Sequence, residues 1–272
     1  MCDEARQPTP APVGPPTYFT GDPHVRTFSG RNYDFHGGCD LVLLSNPDFN
    51  DGQGLHIHVR TKITRWWSSI ESAVLQIGED KLEVKAGVED RPYWFNGVKG
   101  SFDTSQPLPF TIGGFSGRFR QPTETTVQYR IFLGGEDESI IIKSSKSMLR
   151  VEMTKPRQQD FGKSLGLMGT YGTGELVGRD GVTIFDDTNE FGQHWQVRDT
   201  DPLLFLEPEG PQFPEKCAMP DTTATFARRQ LRAHAVSRKD AEDACFEAEE
   251  EDFENCVSDV LALDDVTAAA VY

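Results

Sequence analysis

The stretch Gly21-Asp22-Pro23-His24-Val25-Arg26-Thr27-Phe28-Ser29-Gly30-Arg31-Asn32-Tyr33-Asp34-Phe35-His36-Gly37-Gly38-Cys39 decides how the rest of the chain is read. Gly21 supplies a turn, Asp22 can bond the nearby backbone, and Pro23 ends a proline-rich approach, so Gly-Asp-Pro-His reads as the opening of a first strand. Gly37-Gly38 marks the next reversal. Upstream, residues 7–17 (QPTPAPVGPPT) are expected to be extended and semi-rigid, and residues 1–17 read as a proline-rich linker.

Downstream, the body continues strand after strand to about Cys217. Short apolar or alternating runs predict strands at 40–44, 55–63, 73–77, 81–84, 126–133, 139–143, 148–153 and 182–185. Turns between them are signalled by Asn50-Asp51-Gly52, Gly78-Glu79-Asp80, Asn96-Gly97, Gly113-Gly114 and Gly134-Gly135. In His56-Ile57-His58-Val59-Arg60 the alternation turns one face inward and one outward. Many short antiparallel strands at this spacing predict a mainly β fold, a sandwich over residues 18–217.

Composition agrees and removes several functions. With 272 residues, 37% hydrophobic, 18 Phe, 25 Gly and 17 Pro, the chain can bury a large core and is too aromatic to be disordered. No apolar run approaches the roughly 20 residues of a membrane helix, which predicts no membrane insertion. A net charge of −16 argues against nucleic acid or anionic lipid as a partner. From Ser237 to Asp265 there are twelve acids against Arg238 and Lys239, a net of −10, so most of the charge belongs to the tail.

That tail changes period from two to 3.6 and predicts an acidic helical hairpin over 218–272. Ser237-Arg238-Lys239-Asp240 resembles a capping box, with Ala241, Ala244, Cys245 and Ala248 on one face. Phe253, Cys256, Val257, Val260 and Leu261 form a second stripe. Both cysteines lie on inward stripes, where a Cys245–Cys256 disulfide would staple a unit too small to be stable alone. The acidic run Glu247 to Glu254 is expected on the outer surface. The five cysteines have no zinc-ligand spacing, and Cys2 is left free or paired outside the chain. Met1-Cys2-Asp3-Glu4 is not a secretory signal, so an extracellular chain of this sequence would be a mature form or part of a longer protein.

Three motifs carry a resemblance. The opening segment 21–39, Gly166-Leu167-Met168-Gly169-Thr170-Tyr171-Gly172, and Phe191-Gly192-Gln193-His194-Trp195-Gln196-Val197 together resemble the von Willebrand factor type D domain, in its order and separation. Phe253-Glu254-Asn255-Cys256-Val257-Ser258-Asp259-Val260 is similar to a segment that often follows such domains. The resemblance implies a β-sandwich and a Cys39–Cys217 disulfide. That bond would close nearly the whole body and contribute about 4–5 kcal/mol in the chain-entropy model. A second family bond is absent in both halves, since Tyr18 or Phe19 and Met168 stand at its positions.

The resemblance also implies candidate sites. Family members often hold calcium between the aspartate corresponding to Asp22 and a later loop, with Glu175, Asp180, Asp186 and Asp187 as candidate ligands here. Thr170 and Gly172 replace the family's two asparagines in that loop. Some members cleave themselves between the residues corresponding to Asp22 and Pro23 in mild acid. The chemistry is general: an Asp carboxyl can attack its own carbonyl while the proline nitrogen leaves, and His24 is a nearby acid or base.

Three further constellations stand outside these motifs. His56 and His58 share a strand face as a possible metal pair. Trp66-Trp67 and Tyr93-Trp94-Phe95 offer aromatic platforms for sugars. Asp186, Asp187 and Glu190 are acids without fixed partners for glycosidase chemistry. The resemblance implies a non-catalytic extracellular module of a secreted, adhesive or cell-surface structure, with other extracellular proteins or a like module as partners. A self-processing module is the alternative, a carbohydrate-binding module with glycan partners the third, and calcium the candidate cofactor.

Overall fold

The computed structural model describes residues 13–64, 67–86, 93–100, 109–123, 126–134, 137–145, 148–206, 216–220, 236–250 and 252–272. Most of the proline-rich stretch, Cys2, Trp66 and the side chain of Trp67 lie outside them.

Fourteen described strands form two antiparallel sheets. They are β1 (Thr17–Thr20), β2 (His24–Arg26), β3 (Asn32–Asp34), β4 (Asp40–Asn46), β5 (Leu55–Thr64), β6 (Trp67–Ile77) and β7 (Asp80–Lys85). Then follow β8 (Tyr93–Phe95), β9 (Val98–Gly100), β10 (Pro109–Ile112), β11 (Phe115–Thr123), β12 (Thr126–Phe132), β13 (Ser139–Ser145) and β14 (Leu149–Thr154). The larger sheet runs β10-β11-β12-β13-β14-β1-β2-β3 and the smaller β4-β5-β6-β7-β8-β9. The turn chemistry shows why neighbours in sequence pair: Asn96 and Gly97 (φ 49° and 81°) join β8 to β9, and Gly113 and Gly114 (φ 56° and 83°) join β10 to β11. Positive φ at both central residues matches the twist of a hairpin.

Inward residues of both sheets meet in one core, including Phe19, Val25, Ile140, Ile142 and Val151 from the larger sheet and Leu41, Ile57, Val59, Leu75 and Val84 from the smaller. The edge strand β4 is buried on nearly every residue because later chain covers it. Ser45 exchanges backbone bonds with Leu165, Val42 N–H donates to Trp195, and Val197 N–H donates to Asp40. Covering an edge in this way removes a row of unpaired amides. Gly166 (φ +137°) fits this contact, since a Cβ there would overlap the Leu43 carbonyl.

Five short helices are described: α1 (Phe49–Gly52), a single turn containing left-handed residues, α2 (Gln158–Phe161), α3 (Thr188–His194), α4 (Arg238–Ala244) and α5 (Phe253–Leu263). A 3-10 helix, Val266–Val271, follows. Asp187 caps α3, which delivers Phe191 and Trp195 to the core. Cys39 and Cys217 are disulfide-bonded, with Cα atoms 5.0 Å apart, and Gly38 and Ala218 exchange backbone bonds beside them.

The helical extension starts at the Ser237–Asp240 capping box and carries the Cys245–Cys256 disulfide. Its small core of Ala241, Cys245, Cys256, Val257, Val260, Ala268 and Val271 includes Met148 of the sandwich, so the extension is packed on the larger sheet.

Two expectations need correction. The segment 182–185 is no strand but one isolated bridge, Val177 to Ile184, with Val182 80% exposed. The Asp180 carboxylate takes the amides of Val182 and Thr183, which diverts them from any ladder. The acidic run is not wholly external: Glu247, Glu249, Glu250 and Glu254 are exposed, but Asp252 is buried. A cation and a hydroxyl on the sandwich, Arg150 and Tyr18, claim it.

Candidate functional site

The extension docks where β1 turns into β2, on the Gly-Asp-Pro-His segment. Gly21 has φ +62°, and a Cβ on it would overlap the carboxylate of Asp259 from α5. The Asp22 N–H faces both Asp259 oxygens at 3.3 Å. The Asp22 carboxylate is bonded to His36 Nδ1 at 2.8 Å, and the Pro23 carbonyl accepts from Phe35 N–H at 3.2 Å. His24 Nδ1 donates to Asp34 at 2.7 Å, while its Nε2 makes a 3.4 Å ion contact with Asp259, too oblique for a hydrogen bond. Asp259 also accepts from Tyr272 Oη at 2.5 Å. The docking thus converges on one carboxylate.

Asp252 makes a second anchor seven residues earlier, on the same face of the helix. It accepts from Arg150 Nη1 at 3.1 Å and from the Tyr18 hydroxyl. The Arg150 guanidinium lies 4.0 Å from the Tyr18 ring centroid and bonds Glu152 at 3.1 Å. Lys143 Nζ donates to the Tyr272 backbone carbonyl at 3.2 Å. Cations and aromatic rings on the sheet therefore receive acids from the helix.

Burial and charge set the protonation. Burial works against a charged His24, but the Asp259 and Asp34 carboxylates outweigh it and raise its pKa to about 10. Burial pushes Asp259 up, although His24 and Tyr272 stabilise its anion. Asp34 is also raised by desolvation, and the His24 contacts overcome this and leave it lowered. His36 is raised by its bond to Asp22.

The residues considered for calcium do not converge. Asp22 is engaged with His36. Asp180 accepts from Val182, Thr183 N–H and the Thr183 hydroxyl, which lowers its pKa to about 2. Asp187 is occupied as the cap of α3, Glu175 accepts from the Thr173 hydroxyl at 3.1 Å, and Asp186 is exposed. Among the described residues no three His, Cys, Asp or Glu side chains gather to hold a metal. This donor set does not fit a cation that wants six to eight oxygens.

His58 is buried, and desolvation pushes its pKa down to about 3, while His56 bonds the Ser45 hydroxyl at 3.1 Å. Tyr93 packs on Tyr129 and Phe95 on Phe110, at centroid distances of 5.8 and 6.4 Å. Trp94 is buried beneath Lys99, so these rings are spent on packing. Glu190 is exposed in α3, where its N–H donates to the Asp187 cap at 2.9 Å.

Sequence reasoning missed Asp252, Asp259, Tyr272, Arg150, Asp34 and His36 as site residues. A signal existed for Asp259: it stands three residues after Cys256, on the apolar stripe of an amphipathic helix, where an isolated acid needs a partner.

Two stacked antiparallel sheets, a long-range disulfide and a stapled helical cap define a disulfide-bonded β module. The family model for the von Willebrand factor type D domain matches residues 18–172, more than half of the chain, and the chain belongs to that family. The match begins at β1 and ends in the turn after Gly166-Leu167-Met168-Gly169. Type D domains are a non-enzymatic family. The fold and its disulfides fit an extracellular protein, and no described helix is long and apolar enough to cross a membrane.

Proposed function

We propose that this chain is a non-catalytic association module of an extracellular assembly, with a sandwich unit over 18–217 and an extension over 218–272. The observation that carries this reading is the family match, together with a disulfide-bonded fold whose described polar clusters are spent on internal docking. Its partners are other extracellular proteins or a like module. Light scattering and binding measurements on the full chain, between pH 5.5 and 7.5, test it. Concentration-dependent self-association or saturable binding to an extracellular protein supports the reading. A strictly monomeric chain that binds none of them overturns it.

Self-processing at Asp22–Pro23 stands as a second reading. It is favoured by the two imidazoles at the turn, His36 bonded to the Asp22 carboxylate and His24 one residue beyond the bond. A fragment beginning at Pro23 after incubation in mild acid would support it.

A further inference from the structure

The geometry points to the docked helical extension as a lock on the Asp22–Pro23 bond, with Asp259 as the locking residue. The inference rests on the self-processing reading. In that step an Asp22 carboxyl oxygen bonds to its own carbonyl carbon and closes a five-membered anhydride. The bond from that carbon to the Pro23 nitrogen breaks, and the nitrogen takes a proton. Water then opens the anhydride, so the balance is one water consumed, a C-terminal Asp22 and an N-terminal Pro23.

The step needs Asp22 to turn its carboxyl over its own carbonyl, and it needs an acid beside the proline nitrogen. The docked state restrains both. Asp22 is held at its N–H by the two oxygens of Asp259 and at its carboxylate by His36. His24, one residue beyond the bond, has its two ring nitrogens facing Asp34 and Asp259. His36 and Asp34 are fixed parts of the sandwich. Asp259 comes from the extension, touches residues on both sides of the bond, and packs against Gly21 as well. Withdrawing it frees the Asp22 amide and one His24 nitrogen together.

A distal handle on the same lock is Asp252, which anchors the extension on Arg150 and Tyr18 without touching the turn. If docking itself restrains the bond, loosening this anchor has the same effect as removing Asp259. A merely local effect of Asp259 on the turn would leave Asp252 variants unchanged.

Intact mass under denaturing conditions, followed over days at pH 5.5 and 37 °C, tests the inference on the full chain. The expected result is that Asp259→Asn and Asp252→Asn release the fragment starting at Pro23 at least tenfold faster than the unsubstituted chain. Adding Asp22→Ala to either abolishes release. Tyr272→Phe removes one bond to Asp259 while keeping the ring, and it decides the matter if either Asn variant loses its fold: a threefold acceleration supports the lock and none overturns it. Equal cleavage of all chains overturns the lock and leaves self-processing standing. If no chain is cleaved faster than the urea-unfolded chain at the same pH, both fall.

Discussion

Asp259 Oδ1 lies 3.4 Å from His24 Nε2, so a carboxylate from the helical extension faces an imidazole in the Gly-Asp-Pro-His segment. The two residues are far apart in sequence, and both are buried. Each is costly to bury alone, and together they tie the extension to the sandwich.

Removing one member of such a pair takes a buried counter-charge from the other and leaves it a single carboxylate, Asp34 for His24 and Glu152 for Arg150. Asp259→Ala is expected to destabilise the docked chain by about 1–3 kcal/mol, because a protonated His24 loses its buried counter-charge and keeps only Asp34. Asp252→Ala is expected to cost a similar amount through Arg150, which is 6% exposed. Urea unfolding read by near-ultraviolet circular dichroism checks both, and midpoints equal to that of the unsubstituted chain would contradict the docking.

Stability should fall on the alkaline side. A histidine whose folded pKa is raised stabilises fully below its ordinary value near 6.5 and loses that contribution as pH rises towards about 10. The raised Asp259 acts in the same direction, since the folded state holds its proton more tightly and stability falls as pH rises through its titration. Asp34 opposes them: its lowered pKa stabilises above the ordinary carboxylate value and is lost in acid. Melting temperatures between pH 5 and 10 should therefore decline above pH 7. His24→Gln should flatten that decline, and an unchanged slope would remove His24 as its cause.

The two disulfides should differ in weight and reach. Replacing Cys39 and Cys217 by Ser opens a loop of 178 residues, and the chain-entropy model predicts a loss of about 5 kcal/mol. Opening the 11-residue Cys245–Cys256 loop should cost about 3 kcal/mol and loosen the extension before the sandwich. Hydrogen exchange resolves the two cases: protection lost first over 236–272 in the second variant is the expected pattern, and uniform loss contradicts it.

Calcium should not stabilise the chain. Asp22, Glu175, Asp180 and Asp187 are engaged in the His36 contact, turns and a helix cap, and with Asp186 they do not gather at one point, so melting temperature is expected to be the same in millimolar calcium and in chelator. A reproducible upward shift with calcium, absent in Asp22→Asn, would overturn this expectation.

Alternating runs and glycine turns determined the sandwich, because period two and left-handed turn residues are local properties of a chain. Strands such as β1 and β3, four and three residues long, were illegible for the same reason: too short to show a period, they exist through pairing with β2. The motifs located the family, and the amphipathic stripes located the Cys245–Cys256 hairpin. What tertiary structure alone decided was where that hairpin sits. A carboxylate's partner is fixed by position in space, and Asp259 meets His24, Asp22 and Tyr272 only after sheet and helix have packed. The tail's charge read as a solvated surface, yet folding turned Asp252 and Asp259 inward, since the cations and hydroxyls that make their burial tolerable come from distant strands.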